Sequence, residues 1–152
     1  MANTKKTNVA AKKAPAGAAK KVLTPLDNAV LGDKELCAGL MALNADFGDL
    51  CIRASGEVYA KPLIPQKTKV MFALVVDIVE QIHGKPFENH LAMAVKQGVT
   101  QAEMEELLLF MTIYAGFNKA GTYYMAVREF FANMSAKQAI KAKTPNRPSK
   151  NK

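Results

Sequence analysis

The spacing of apolar residues decides the fold class of this chain. From Asp33 onward Leu36, Leu40, Leu43, Phe47, Leu50, Ala54 and Val58 follow one another at steps of three and four. That is the period of one face of an α-helix, and almost nothing in the chain alternates with the period of two that a half-buried strand requires. The pattern predicts a first helix over 33–61, ended by Pro62, which disfavours helix in the residue before it. Pro65 is suited to a helix start, and the stretch through Val70, Leu74, Ile78 and Ile82 is apolar on most sides. It is therefore expected to be the central, most buried helix, stopped by Gly84. A short helix over 87–97 closes at Gly98. The next opens on Thr100 with Glu103 three residues on, a capping box, and ends at Gly116. The last covers about 119–134. The expectation is an all-α domain of about five helices.

Charge is divided unevenly along the same chain. The formal net charge is +8, from 21 basic and 13 acidic residues. Residues 1–22 carry six lysines and no acid, and residues 137–152 carry five lysines and Arg147, again with no acid. The nine remaining basic residues face all 13 acids, so the segment 23–136 carries −4 and the two ends together +12. Both ends are rich in Ala, Pro, Asn and Lys and lack aromatics, a composition that buries too little surface to offset chain ordering. They are expected to be disordered basic arms flanking a helical domain at 23–136. Such arms can bind nucleic acid or another polyanion by counterion release, and a non-catalytic oligomeric scaffold that uses them so is the alternative to an enzyme; a solvated, solubilising tail is the plainer reading of the same residues.

Other classes are disfavoured. The longest apolar run, 70–76, falls far short of the roughly 20 residues of a membrane-spanning helix, so no membrane association is expected. The first residues show no apolar stretch of the secretory kind. Cys37 and Cys51 match neither a zinc-ligand nor a redox spacing, and are expected to be free thiols in a reducing, cytoplasmic setting. There is no Gly-rich phosphate loop, no nucleophile signature and no metal cluster; neither metal nor cofactor is expected.

His90 is the residue best suited to chemistry. Helical spacing puts it on one face with Phe87, Leu91 and Ala94, turned toward the core or a subunit contact. An imidazole there is often a hydrogen-bonded core residue, but it also exchanges protons near neutral pH. Glu57 is a carboxylate near the end of the first long helix; turned inward it needs a partner, and a histidine is a natural one. Lys67 and Lys69 open the apolar helix and suit an anionic ligand. His83, beside Gly84, reads as a helix-end cap.

Two stretches give this pattern a family likeness. ENHLAMAVKQGVTQAEMEELLLFMTIYAGF, from Glu88 to Phe117, resembles the most characteristic segment of the carboxymuconolactone decarboxylase family, with His90, Ala94, Gly98, Val99, Thr100, Glu103, Glu106, Tyr114 and Gly116 at matching positions. SGEVYAKP, from Ser55 to Pro62, is similar to the family's Gly-Glu-Val-Trp segment, with Tyr59 where tryptophan is usual. The likeness covers about 43–131 and neither arm.

The resemblance implies an alkylhydroperoxidase D-like helical bundle that builds homo-oligomers, trimers or hexamers, with sites near subunit contacts. It implies one of two chemistries. The dithiol peroxidase branch uses a Cys-x-x-Cys-x-x-x-His motif, and counting back from His90 places His83 and Pro86 at the two sulfur positions. Without thiols that route is closed. The decarboxylase branch, a cofactor-independent lyase acting on a small carboxylate or lactone, implies catalytic roles for His90 and Glu57. It also implies substrate-binding roles for Lys69, close to a family arginine, and for Tyr59 and Tyr114.

Overall fold

The structure, a computed structural model, describes residues 25–143, with side chains through 140. It contains six helices and, among the described residues, no strand: α1 (Lys34–Leu43), α2 (Ala45–Tyr59), α3 (Gln66–Glu80), α4 (Lys85–Lys96), α5 (Gln101–Tyr114) and α6 (Phe117–Lys143). The all-α expectation holds, with one helix more than the periodicity suggested. The helix expected over 33–61 is two helices, broken at Asn44. There the backbone is extended, φ −167° and ψ 136°, and the Asn44 side chain accepts from the Phe47 amide. An asparagine that can cap the helix after it competes with continuing the helix before it. The apolar rhythm runs through the break unchanged, which is why it hid the break.

The two arms of this hairpin pack closely because of a glycine. A Cβ on Gly48 would lie 2.7 Å from the Met41 Cα and 2.8 Å from the Leu40 carbonyl oxygen. Only a residue without a side chain lets α2 approach α1 at that point. The stripe Leu36–Val58 is largely open: α1 buries no residue, and α2 buries only Gly48 and Gly56.

Beyond the hairpin, α3 packs on α4 and α5 on α6, while α6 also lies against α3 and α4. Their shared core holds Val70, Leu74, Ile78, Phe87, Leu91, Met104, Leu108, Tyr123 and Val127. The segment 26–33 ties the hairpin to this body. Ala29 and Val30 are buried, the Asn28 amide donates to the Gly56 carbonyl at 2.9 Å, and Gln66 accepts from the Ala29 amide at 2.9 Å. Asp33 caps α1 and receives the Lys96 ammonium of α4 at 2.7 Å.

Helix ends follow the sequence in most places. Pro65 precedes α3, Thr100 and Glu103 form the capping box of α5, and Gly98 and Gly116 sit at φ 81° and 94°. The stop of α3 differs: it falls at Gln81, in the left-handed region at φ 57°, and Gly84 instead precedes α4. The central helix is also less enclosed than expected, since α3 buries Val70, Leu74, Asp77 and Ile78 but leaves Phe72 and Val76 exposed.

α6 runs to Lys143, seven residues past the boundary drawn at 136 from charge. The arm at 1–22 and the part of the tail after 143 lie outside the described residues. Among the described residues, no helix is long and apolar enough to cross a membrane.

Candidate active site

Asp77, the residue just after the apolar run 70–76, is the centre of the site. It stands on the buried face of α3, seven residues after Val70 and three after Leu74, and is 1% exposed. A carboxylate taken so far from water requires a strong partner. That partner is His90 of α4, whose Nδ1 lies 2.7 Å from Asp77 Oδ2. The imidazole keeps 34% of its side chain exposed. Phe87, Leu91 and Ala94 on the same face are buried, as their spacing predicted. With Nδ1 turned onto Asp77, Nε2 is the nitrogen left to meet a substrate.

Two tyrosines sense the Asp77 charge. Tyr123 of α6 is buried, and its hydroxyl reaches the Asp77 carbonyl at 2.7 Å and the Ile82 carbonyl at 2.9 Å. Burial first, and the Asp77 carboxylate second, push its hydroxyl up to about 12. Its ring is held between His83, stacked at 4.7 Å, and the edge of Phe87 at 4.6 Å. His83 is thus an exposed face-cover for Tyr123 and makes no hydrogen bond as a helix cap among the described residues. Tyr59, at the end of α2, has its hydroxyl shifted upward by the same two causes in the same order. Residues of α2, α3, α4 and α6 therefore converge on one carboxylate.

The other expected site residues divide. Glu57 does not meet His90: it is exposed on α2, and its carboxylate makes no ion pair or hydrogen bond among the described residues. Its neighbours in the turn sequence explain this, since Gly56 is the residue of that turn packed inward, against Leu31. The acid that meets the imidazole comes from α3 instead.

Tyr59 and Lys69 are brought together. The Lys69 ammonium donates to the Tyr59 carbonyl at 2.6 Å and to the Lys61 carbonyl, and lies 6.0 Å from the Tyr59 ring centre. It supplies the positive charge that α2 lacks in its own last turn. Both residues line a cleft of about 570 Å³ whose other walls include Val58, Leu63, Ile64 and Phe72. Lys67 is engaged elsewhere, with Glu103 at 2.6 Å. Tyr114, at the end of α5, is exposed against Phe110 and does not line the cleft. Cys37 and Cys51 are half-buried free thiols, and no metal-holding cluster occurs among the described residues.

A helical bundle that buries an aspartate against a part-exposed histidine has the form of an acid–base site; neither residue lines the apolar cleft, to which Tyr59 is the link. The sequence assigns the bundle further: the model of the carboxymuconolactone decarboxylase family matches residues 45–129, more than half of the chain, and the protein belongs to that family. A 4-carboxymuconolactone decarboxylase from Acinetobacter baylyi (strain ATCC 33305 / BD413 / ADP1) is 29% identical over 109 residues, covering 69% of this chain and 81% of its own. No solved structure matches the chain significantly.

Proposed function

We propose that this protein is a cofactor-independent carboxy-lyase acting on a small carboxylated lactone, with the Asp77–His90 pair as its acid–base group. The observation that carries the reading is the 2.7 Å contact between a fully buried carboxylate and an imidazole that still reaches solvent. Family membership and the decarboxylase name of the relative support the same reaction class.

In such a reaction the bond to the substrate carboxylate breaks, carbon dioxide leaves, and the electron pair is delocalised into the adjoining unsaturated lactone. His90 delivers a proton from Nε2 to the carbon when the pair returns. Asp77 fixes the orientation of the ring through Nδ1, which leaves Nε2 to hand over the proton. The carboxylate takes the orienting role that the resemblance gave to Glu57. Tyr59 lines the cleft and feels the Asp77 charge, and Lys69 ties down the Tyr59 and Lys61 carbonyls where α2 ends.

We place the working form in an assembly of copies. Phe72 and Val76 on α3, and Leu109, Ile113 and Phe117 around the α5–α6 turn, are all more than half exposed. Apolar faces of that extent suit burial against another copy. Light scattering is expected to give a mass of several chains; a monomer at micromolar concentration would contradict this part.

The test of function is carbon dioxide release from 4-carboxymuconolactone. Turnover above the uncatalysed rate, reduced about a hundredfold or more in His90→Ala, is the expected result. No turnover by the parent protein refutes the substrate class, and full turnover in His90→Ala removes His90 from the chemistry.

A further inference from the structure

We propose that Tyr123 is a positioning residue for the acid–base pair: its hydroxyl clamps the end of α3 to the start of α4 and so sets where Asp77 meets His90. The inference rests on the reading of Asp77 and His90 as the working pair, and it assigns the part that α6 takes in it.

Asp77 and His90 stand on different helices, so their 2.7 Å contact depends on how α3 and α4 are held relative to each other. The chain between the helices is short and does little of this holding. It has positive φ at both Gln81, 57°, and Gly84, 68°, and nothing lies within 4 Å of the place a Gly84 side chain would occupy. A modest change of backbone angle at either position would swing α4 and carry the imidazole off the carboxylate.

Tyr123 meets each part of this joint. Its hydroxyl carries one proton, shared between the Asp77 carbonyl at 2.7 Å, in the last turn of α3, and the Ile82 carbonyl at 2.9 Å, in the connection. Its ring stacks on His83, also in the connection, and takes the edge of Phe87. Phe87 lies in the first turn of α4, three residues before His90 and on the same face. The seat of the tyrosine is firm, since Ala120, Tyr123 and Val127 form one fully buried stripe of α6. The bond to α3 goes to the backbone of Asp77 itself. That carbonyl also accepts from the Gln81 and Ile82 amides, so the residue carrying the carboxylate is fixed at its own peptide group. Fixing both ends of a hydrogen-bonded pair is what keeps its geometry productive.

The experiment compares the parent protein with Tyr123→Phe, which keeps the ring and removes the hydroxyl. Thr100→Ala serves as the control for lost stability, since the Thr100 hydroxyl bonds within the cap of α5. Circular dichroism establishes that each protein is folded at the temperature used. Two quantities are read: the fraction of neutral His90 protonated on Nδ1, from long-range nitrogen–proton spectra, and kcat with KM for 4-carboxymuconolactone. In Tyr123→Phe the Nδ1 fraction is expected to fall toward that of free histidine. Its kcat is expected to fall about tenfold or more with KM changed less than about twofold, the mark of a pair that is misplaced and not of weakened binding. Thr100→Ala is expected to match the parent in both. Should Tyr123→Phe fail to fold, His83→Ala, which uncovers one face of the ring and keeps the hydroxyl, is expected to shift both readouts in the same direction by less. Overturning results are a folded Tyr123→Phe with the parent's Nδ1 fraction or with kcat within about twofold, an equal loss in Thr100→Ala, or, where His83→Ala decides, no shift in it. Absence of turnover in the parent strikes the lyase reading instead, and the Nδ1 fraction then decides the role of Tyr123 by itself.

Discussion

Replacing Tyr123 by phenylalanine removes one oxygen from the centre of the molecule and little else. The ring can remain between His83 and Phe87, so no large cavity opens. What is lost is the hydroxyl contact with the Asp77 and Ile82 carbonyls. The Asp77 carbonyl keeps the Gln81 and Ile82 amides as donors, whereas the Ile82 carbonyl loses the buried hydroxyl. One hydrogen bond is worth about 0.5–1.5 kcal/mol, and a buried acceptor left without its donor adds to that, so Tyr123→Phe is expected to cost about 1–3 kcal/mol. Urea denaturation at pH 7 reads this as a lower midpoint with an unchanged slope. The same variant has a second signature in alkali. The folded hydroxyl titrates near 12 and the unfolded one near 10. The unfolded state therefore loses its proton first, and the stabilisation, complete below pH 10, is lost as pH rises toward 12. Tyr123→Phe is expected to flatten the parent's decline in that interval. A variant as stable as the parent at pH 7, or one whose alkaline decline runs parallel to it, would refute the role given to this hydroxyl.

Three further substitutions test the frame around the site. Gly48→Ala places a carbon against the Met41 and Leu40 backbone and is expected to destabilise by about 1–3 kcal/mol, outweighing the gain in helix propensity; a higher melting temperature would show that α1 and α2 do not cross there. Thr100→Ala removes the capping box of α5 and is expected to cost about 1 kcal/mol in denaturant titration. Lys96→Met leaves Asp33, which is 3% exposed, with the Leu36 amide but without its countercharge, and is expected to cost about 1.5–3 kcal/mol. The ion pair raises the Lys96 ammonium above its ordinary range against the opposing effect of burial, so the parent loses this contribution only above about pH 10.5, and the variant is expected to lack that loss in an alkaline melting series.

The helical class and most helix ends were legible because each depends on a few neighbouring residues. Thr100 with Glu103, Pro65, Gly98 and Gly116 carry their own backbone geometry wherever they are placed. The break at Asn44 was concealed because the apolar stripe continues in phase across it, although the cap was written in the asparagine itself. The stop at Gln81 had no local signal, since glutamine rarely adopts the left-handed region; there the Asp77 carbonyl gathers the Gln81 and Ile82 amides and the Tyr123 hydroxyl. His90 was legible from its face of α4. Its partner was not, because pairing across helices is a tertiary fact, and Glu57 drew attention as the acid in a familiar segment. The available clue was Asp77 itself: an acid on the same helical face as Val70 and Leu74 must be paired or it would not be there. Apolar stripes also announce burial without saying against what, so Phe72, on the helix expected to be the most buried, stands exposed in the single chain.

The central claim is that Asp77 holds Nδ1 of His90 and leaves Nε2 for the substrate. Long-range nitrogen–proton correlation spectra of the neutral imidazole, recorded on the intact protein, test it most directly. The proton is expected on Nδ1, with Nε2 bare. A neutral ring carrying its proton on Nε2, or averaging between the two nitrogens as free histidine does, would contradict the assignment.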